Sequence, residues 1–134
     1  MGTFSAFMGV REVEWAYHAS RGDLPSIRKH GLVPSVNEGL VDEYVARGED
    51  PETIPEMLYF DETPEGLDEY GDLLLRFPFP KDFEDATYKW GTEGLITFKT
   101  VPPKVIEYYD APADEYDEDV DLWKPVVPRR GRRR

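Results

Sequence analysis

Apolar and polar positions alternate near the start of the chain. Val13, Trp15 and Tyr17 are interleaved with Glu14, Ala16 and His18, the period of two that a half-buried strand requires. His18 then falls near the strand's end, on the face opposite Trp15 and Tyr17. In the following RGDLPSIRKHGLVPS, Asp23 is a helix cap, Pro25 suits the first turn, Ile27 supplies an apolar face and Gly31 a stop. A helix of about two turns is predicted there, with Leu32 and Val33 extended after it. Over residues 37–48 the spacing of Leu40, Val41, Tyr44 and Val45 is helical, with Asn37 as cap and Gly48 as stop. The proline-broken EDPETIPE is a loop, and MLYF (57–60) is a short apolar strand. DETPEGLDEYG reads as a turn leading into a helical turn closed by Gly71. LLLRFPF is a buried strand stopped by Pro78 and Pro80, since proline cannot continue a ladder. KDFEDATYKWGTEG is loop-like or weakly helical. LITFKT and VIEYYD are strands, joined through Pro102 and Pro103. Several short strands with two or three small helices between them predict an α+β fold.

Composition narrows this picture. The 134 residues suit one domain, and the 40% hydrophobic share is enough for a core despite the charge. After Tyr109 the sequence turns to DAPADEYDEDVD and then ends in PRRGRRR. The predicted organisation is a globular domain over residues 1–109, an acidic arm over 110–128 that is partly docked through Leu122, Trp123, Val126 and Val127, and a flexible basic tail over 129–134. The formal net charge of −12 divides into +5 on Arg129, Arg130, Arg132, Arg133 and Arg134 and −17 on everything before them. So acidic a body disfavours attraction to phosphate backbones or anionic membranes.

The chain has no cysteine, which excludes disulfides, thiolate metal sites and cysteine nucleophiles, and its two histidines, His18 and His30, make a histidine-rich zinc site improbable. No apolar run approaches the ~20 residues that span a bilayer, and the first residues lack the pattern of a secretory signal. A cytoplasmic protein with no metal and no membrane partner is therefore expected.

Four segments, in order, carry a resemblance. YHASRGDLPSIRKHGLVPS, MLYFDETPEGLDEYG, LLLRFPF and TEGLITFKTVPPKVIEYYD resemble the ADP-ribosyltransferase superfamily, in particular its histidine-tyrosine-glutamate branch of diphtheria-toxin-like and poly(ADP-ribose) polymerase-like proteins. The resemblance spans residues 15–109. It implies two small packed sheets around an NAD cleft, flanked by short helices, with NAD as the substrate. It further implies that His18 bonds the adenosine-side ribose, that the Ala19 backbone pairs with the nicotinamide carboxamide, and that the Ser20 hydroxyl supports that amide. Tyr59 and Tyr70 would hold the nicotinamide ring between their faces. Glu93 would stabilise the positive charge that develops on the ribose as the glycosidic bond breaks. The catalytic set is thus His18, Tyr59 and Glu93. The cofactor-binding set is His18, Ala19, Ser20, Tyr59 and Tyr70.

Two positions depart from family patterns. Ala19 stands where the family commonly has glycine. Gly91 stands where arginine-modifying members carry a second acidic residue, which disfavours arginine as acceptor. Tyr17 and Ala19 also do not fit the arginine-flanked histidine of the RNA 2'-phosphotransferases. The expected activity is transfer of ADP-ribose to a macromolecule, protein in preference to nucleic acid, as in a toxin, defence factor or phage effector. The alternatives are a non-enzymatic acidic binding or inhibitor module on the same fold, and a component of a virion or other assembly.

Overall fold

The computed structural model describes residues 14–128. Val13 and the arginine tail at 129–134 lie outside the described residues. The chain is a small α+β protein. Its regular elements are β1 (Trp15–Ser20), α1 (Leu24–His30), α2 (Glu38–Ala46), β2 (Leu58–Phe60), β3 (Leu73–Pro78), β4 (Glu84–Asp85), the single turn α3 (Ala86–Trp90), β5 (Leu95–Thr97), β6 (Glu107–Tyr109) and β7 (Trp123–Pro125). They build two antiparallel sheets, one ordered β1-β3-β6-β7 and the other β2-β5-β4.

Local chemistry explains the first helix. The Asp23 carboxylate accepts from the Ser26 N–H at 2.8 Å, satisfying one of the helix's otherwise unpaired amides, and such a cap contributes about 1 kcal/mol. Arg28, Lys29 and His30 occupy the last turn, where positive charge suits the helix dipole. Gly31 ends the helix at φ 78°, and a side chain there would collide with the Val101 carbonyl. That close approach lets Leu32 and Val101 exchange backbone bonds of 3.0 and 2.9 Å. Arg28 then ties the helix to the C-terminal end of the chain, donating from Nε to the Val126 carbonyl at 2.8 Å. Helix α2 starts the same way, the Asn37 side chain accepting from the Leu40 N–H.

The period-two pattern of each strand distributes its side chains between separate cores. On β1, Ala16 faces the space between the sheets, where Phe60, Leu75, Phe77, Ile106 and Val126 are buried. Phe60 meets Phe77 and Phe79 edge-on, at centroid distances of 5.8 and 5.4 Å. Beyond the three-stranded sheet, Leu40 of α2 packs with Met57, Ala86 and Ile96 in a second core. The opposite, outer face of the four-stranded sheet has its own cluster of Ala19, Leu67, Leu74, Tyr109 and Ala113.

Residues 110–122, rich in aspartate and glutamate, cover that outer face before the chain returns as β7. Ala113 is buried and donates its N–H to the Asp72 carbonyl, and the Tyr109 hydroxyl accepts from the Asp117 N–H at 3.2 Å. The segment at 81–94, predicted as loop or weak helix, holds the short strand β4 and one helical turn capped by Asp85. Two residues are too few to show an alternation, so pairing with β5 makes that strand visible only in three dimensions.

Candidate functional site

Strands β1 and β2 belong to different sheets and come together where Asp61, the residue after β2, pairs with β1. Tyr17 and Asp61 exchange two backbone bonds of 2.8 Å each. Beside this junction a cavity of about 300 Å³ opens, at the lower end of the range for small-molecule sites. His18, Ala19, Tyr59, Tyr70 and Glu93 all stand in its wall. These residues lie up to 75 positions apart in the chain, and it is the contact between the sheets that gathers them.

Ring nitrogen Nδ1 of His18 lies 2.7 Å from the Tyr59 carbonyl oxygen. A carbonyl only accepts, so Nδ1 carries the hydrogen, and in the neutral ring Nε2 is left as an acceptor. Burial holds the imidazole below its ordinary pKa of 6.5, while the bond to the Tyr59 carbonyl works in the opposite direction. His18 is thereby held neutral and in one tautomer at pH 7.

The backbone at Ala19 follows from the ladder. In an antiparallel strand, the N–H and C=O of successive residues point to opposite edges. Tyr17 directs its pair away from β3, toward Asp61, so Ala19, two residues on, directs its own pair to the same edge. No described residue bonds to Ala19 there. A donor and an acceptor, one residue's span apart, therefore face the cavity on an otherwise covered strand.

Tyr59 projects toward the core under α2, and its hydroxyl is 3.2 Å from Thr92 Oγ1. Tyr70 arrives by another route. The single turn Leu67–Glu69 is anchored by buried Leu67, and the chain then passes against the end of β1 at Gly71. A side chain at Gly71 would clash with the Ser20 carbonyl. Glycine there permits the approach that leaves Tyr70, 64% exposed, at the cavity mouth. Glu93 is exposed on the loop before β5, and its carboxylate makes no hydrogen bond or ion pair with another described residue.

Ser20 is not gathered with the others. Its hydroxyl accepts from the Gly22 N–H at 2.8 Å, and it lines a separate groove with Arg21, Asp68 and Gly71. Conversely, Asn37, Asp61 and Thr92 stand in the cavity wall without having been singled out from the sequence. Asn37 was legible only as a helix cap, and Thr92 only as a neighbour of Glu93.

Among the described residues no group of three or more histidine, aspartate or glutamate side chains is arranged to hold a metal ion, and no helix is long and apolar enough to cross a membrane. Comparisons with protein-family models, with curated proteins and with solved structures found no match for this chain.

Proposed function

We propose that this chain is an ADP-ribosyltransferase-like protein on a small version of that fold, using NAD as substrate and transferring ADP-ribose to a macromolecule. The observation that carries the reading is the convergence of Ala19, Tyr59, Tyr70, His18 and Glu93 on one cavity. The fit to NAD can be judged group by group. A primary carboxamide offers one acceptor and two donors, which complements the open C=O and N–H of Ala19. Tyr59 and Tyr70 supply aromatic faces for a flat ring. The neutral His18 presents an acceptor at Nε2 suited to a ribose hydroxyl.

In the reaction this predicts, the bond between ribose and the nicotinamide nitrogen breaks and its electron pair stays with the ring. Positive charge develops on the ribose, and the Glu93 carboxylate stabilises it. A nucleophile of the acceptor then bonds to the ribose carbon and releases its proton. Glu93 can take that proton because its carboxylate has no hydrogen-bond or ion-pair partner among the described residues.

The test is nicotinamide release. Glu93→Gln keeps size and hydrogen bonding but removes the charge, so turnover is expected to fall ~100-fold or more while NAD binding survives. Tyr59→Ala is expected to weaken NAD affinity along with rate, since a stacked ring holds the ground state too. Equal NAD consumption by wild type and Glu93→Gln would remove the glutamate from its role. If the protein neither binds nor cleaves NAD but captures a basic macromolecule, the binding-module reading replaces this one.

A further inference from the structure

The cavity's charge and its aromatic lining point the same way. Among the described residues, the cavity wall holds the acidic side chains Asp61 and Glu93 and no lysine or arginine. Tyr59 and Tyr70 add aromatic rings, whose faces are the negative ends of a quadrupole. Carboxylates and aromatic faces are the two groups in proteins that most favour an organic cation. At the same wall, the open Ala19 backbone pair requires a partner that both donates and accepts.

We infer that the cavity reads the positive charge of a pyridinium carboxamide, so that an N-substituted nicotinamide cation is its minimal ligand and phosphate groups add little to binding. The inference rests on the reading of the cavity as the nicotinamide site and deepens it. A volume of about 300 Å³ has room for a ring and part of a sugar, which leaves the phosphates of a dinucleotide outside. There they meet a chain of formal net charge −12, which repels them.

The arrangement also bears on turnover. Cleavage leaves the electron pair on the ring nitrogen and turns a cation into neutral nicotinamide. The product loses its attraction to the two carboxylates at the moment it forms, so the same charges that hold the substrate favour release of the product.

Calorimetric titration of the full chain tests this with three probes: 1-methylnicotinamide, nicotinamide and ADP-ribose. The cation is expected to bind at least about tenfold more tightly than neutral nicotinamide, the scale of a partly desolvated cation–aromatic contact reinforced by a carboxylate. ADP-ribose is expected not to displace it. Asp61→Asn, which retains an oxygen for the Glu62 N–H that Asp61 caps, should weaken the cation several-fold and leave nicotinamide unchanged, with the melting temperature as the check on folding. Equal affinity for the cation and for nicotinamide, or displacement of the cation by ADP-ribose, overturns the inference. In that case, binding and cleavage of NAD leave the transferase reading standing. Failure to bind either NAD or the cation overturns both.

Discussion

The outer face of the four-stranded sheet and the cavity between the sheets use the same kinds of side chain to opposite ends. On the outer face, Arg76 lies between the rings of Trp15 and Trp123, 4.1 and 4.3 Å from their centroids. Its Nε and Nη2 donate to Glu107 Oε1 at 2.7 and 2.6 Å. Tyr109 packs edge-on against Tyr116 and Trp123, at 5.0 and 5.3 Å. There Arg76 and Glu107 satisfy each other, and each of these rings has an aromatic or cationic neighbour. In the cavity the exposed Tyr70 ring, the Glu93 carboxylate and the Ala19 backbone leave capacity unused. Completed contacts stabilise a fold, whereas incomplete ones on a rigid frame are what a ligand can complete.

The largest expected effect breaks the complete side. Arg76→Ala removes the cation from between two tryptophans and leaves Glu107, mostly withdrawn from water, without its partner. A loss of about 3 kcal/mol is expected in denaturant unfolding. Glu93→Gln, by contrast, should change stability by less than about 0.5 kcal/mol, because its carboxylate is exposed. Similar losses for the two variants would erase the distinction between the regions.

Gly71→Ala sharpens the comparison from the cavity side. The added methyl meets the Ser20 carbonyl, so the turn must move off β1 and take Tyr70 with it. We expect about 1–3 kcal/mol of destabilisation together with weaker binding of a nicotinamide ligand. Loss of stability with unaltered binding would show that Tyr70 does not need its present position.

The smallest effect concerns His18. Its folded pKa is depressed by burial below 6.5, so the unfolded chain takes up the proton first as the pH falls. The stability it supports is fully present above the ordinary histidine range and is lost as pH falls through the folded value. Melting curves between pH 7 and pH 5 should fall more steeply for wild type than for His18→Gln. Parallel curves would mean that His18 does not titrate differently on folding.

How much of this was legible in the sequence depends on the range of the interaction. Both main helices could be read because their determinants are local: Asp23 and Asn37 bond amides three residues ahead, and Gly31 closes the first helix. His18, Tyr59, Tyr70 and Glu93 were legible as an ordered set, but their meeting place depends on the Tyr17–Asp61 junction, which no local pattern encodes. The wall positions of Asp61 and Thr92 are long-range for the same reason. Ser20 went the other way, since its hydroxyl has a nearer partner in the Gly22 amide. Within residues 110–122 the acidic residues dominate the composition, while Ala113, Tyr116 and Leu122 pack against the sheet. Apolar contacts dispersed among carboxylates leave no periodicity to read.

The position of β7 governs the order in which the molecule can be finished. It is the last strand among the described residues and the outer edge of its sheet, and its Trp123 closes the stack over Arg76. While synthesis proceeds from the N-terminus, β1, β3 and β6 can pair, but Arg76 remains open on one side until residue 123 has emerged. Until then the nascent chain carries an uncovered sheet edge and a half-enclosed cation beneath an acidic loop that has nothing to close upon. Closure of the stack over Arg76 thus waits on the segment that carries Trp123.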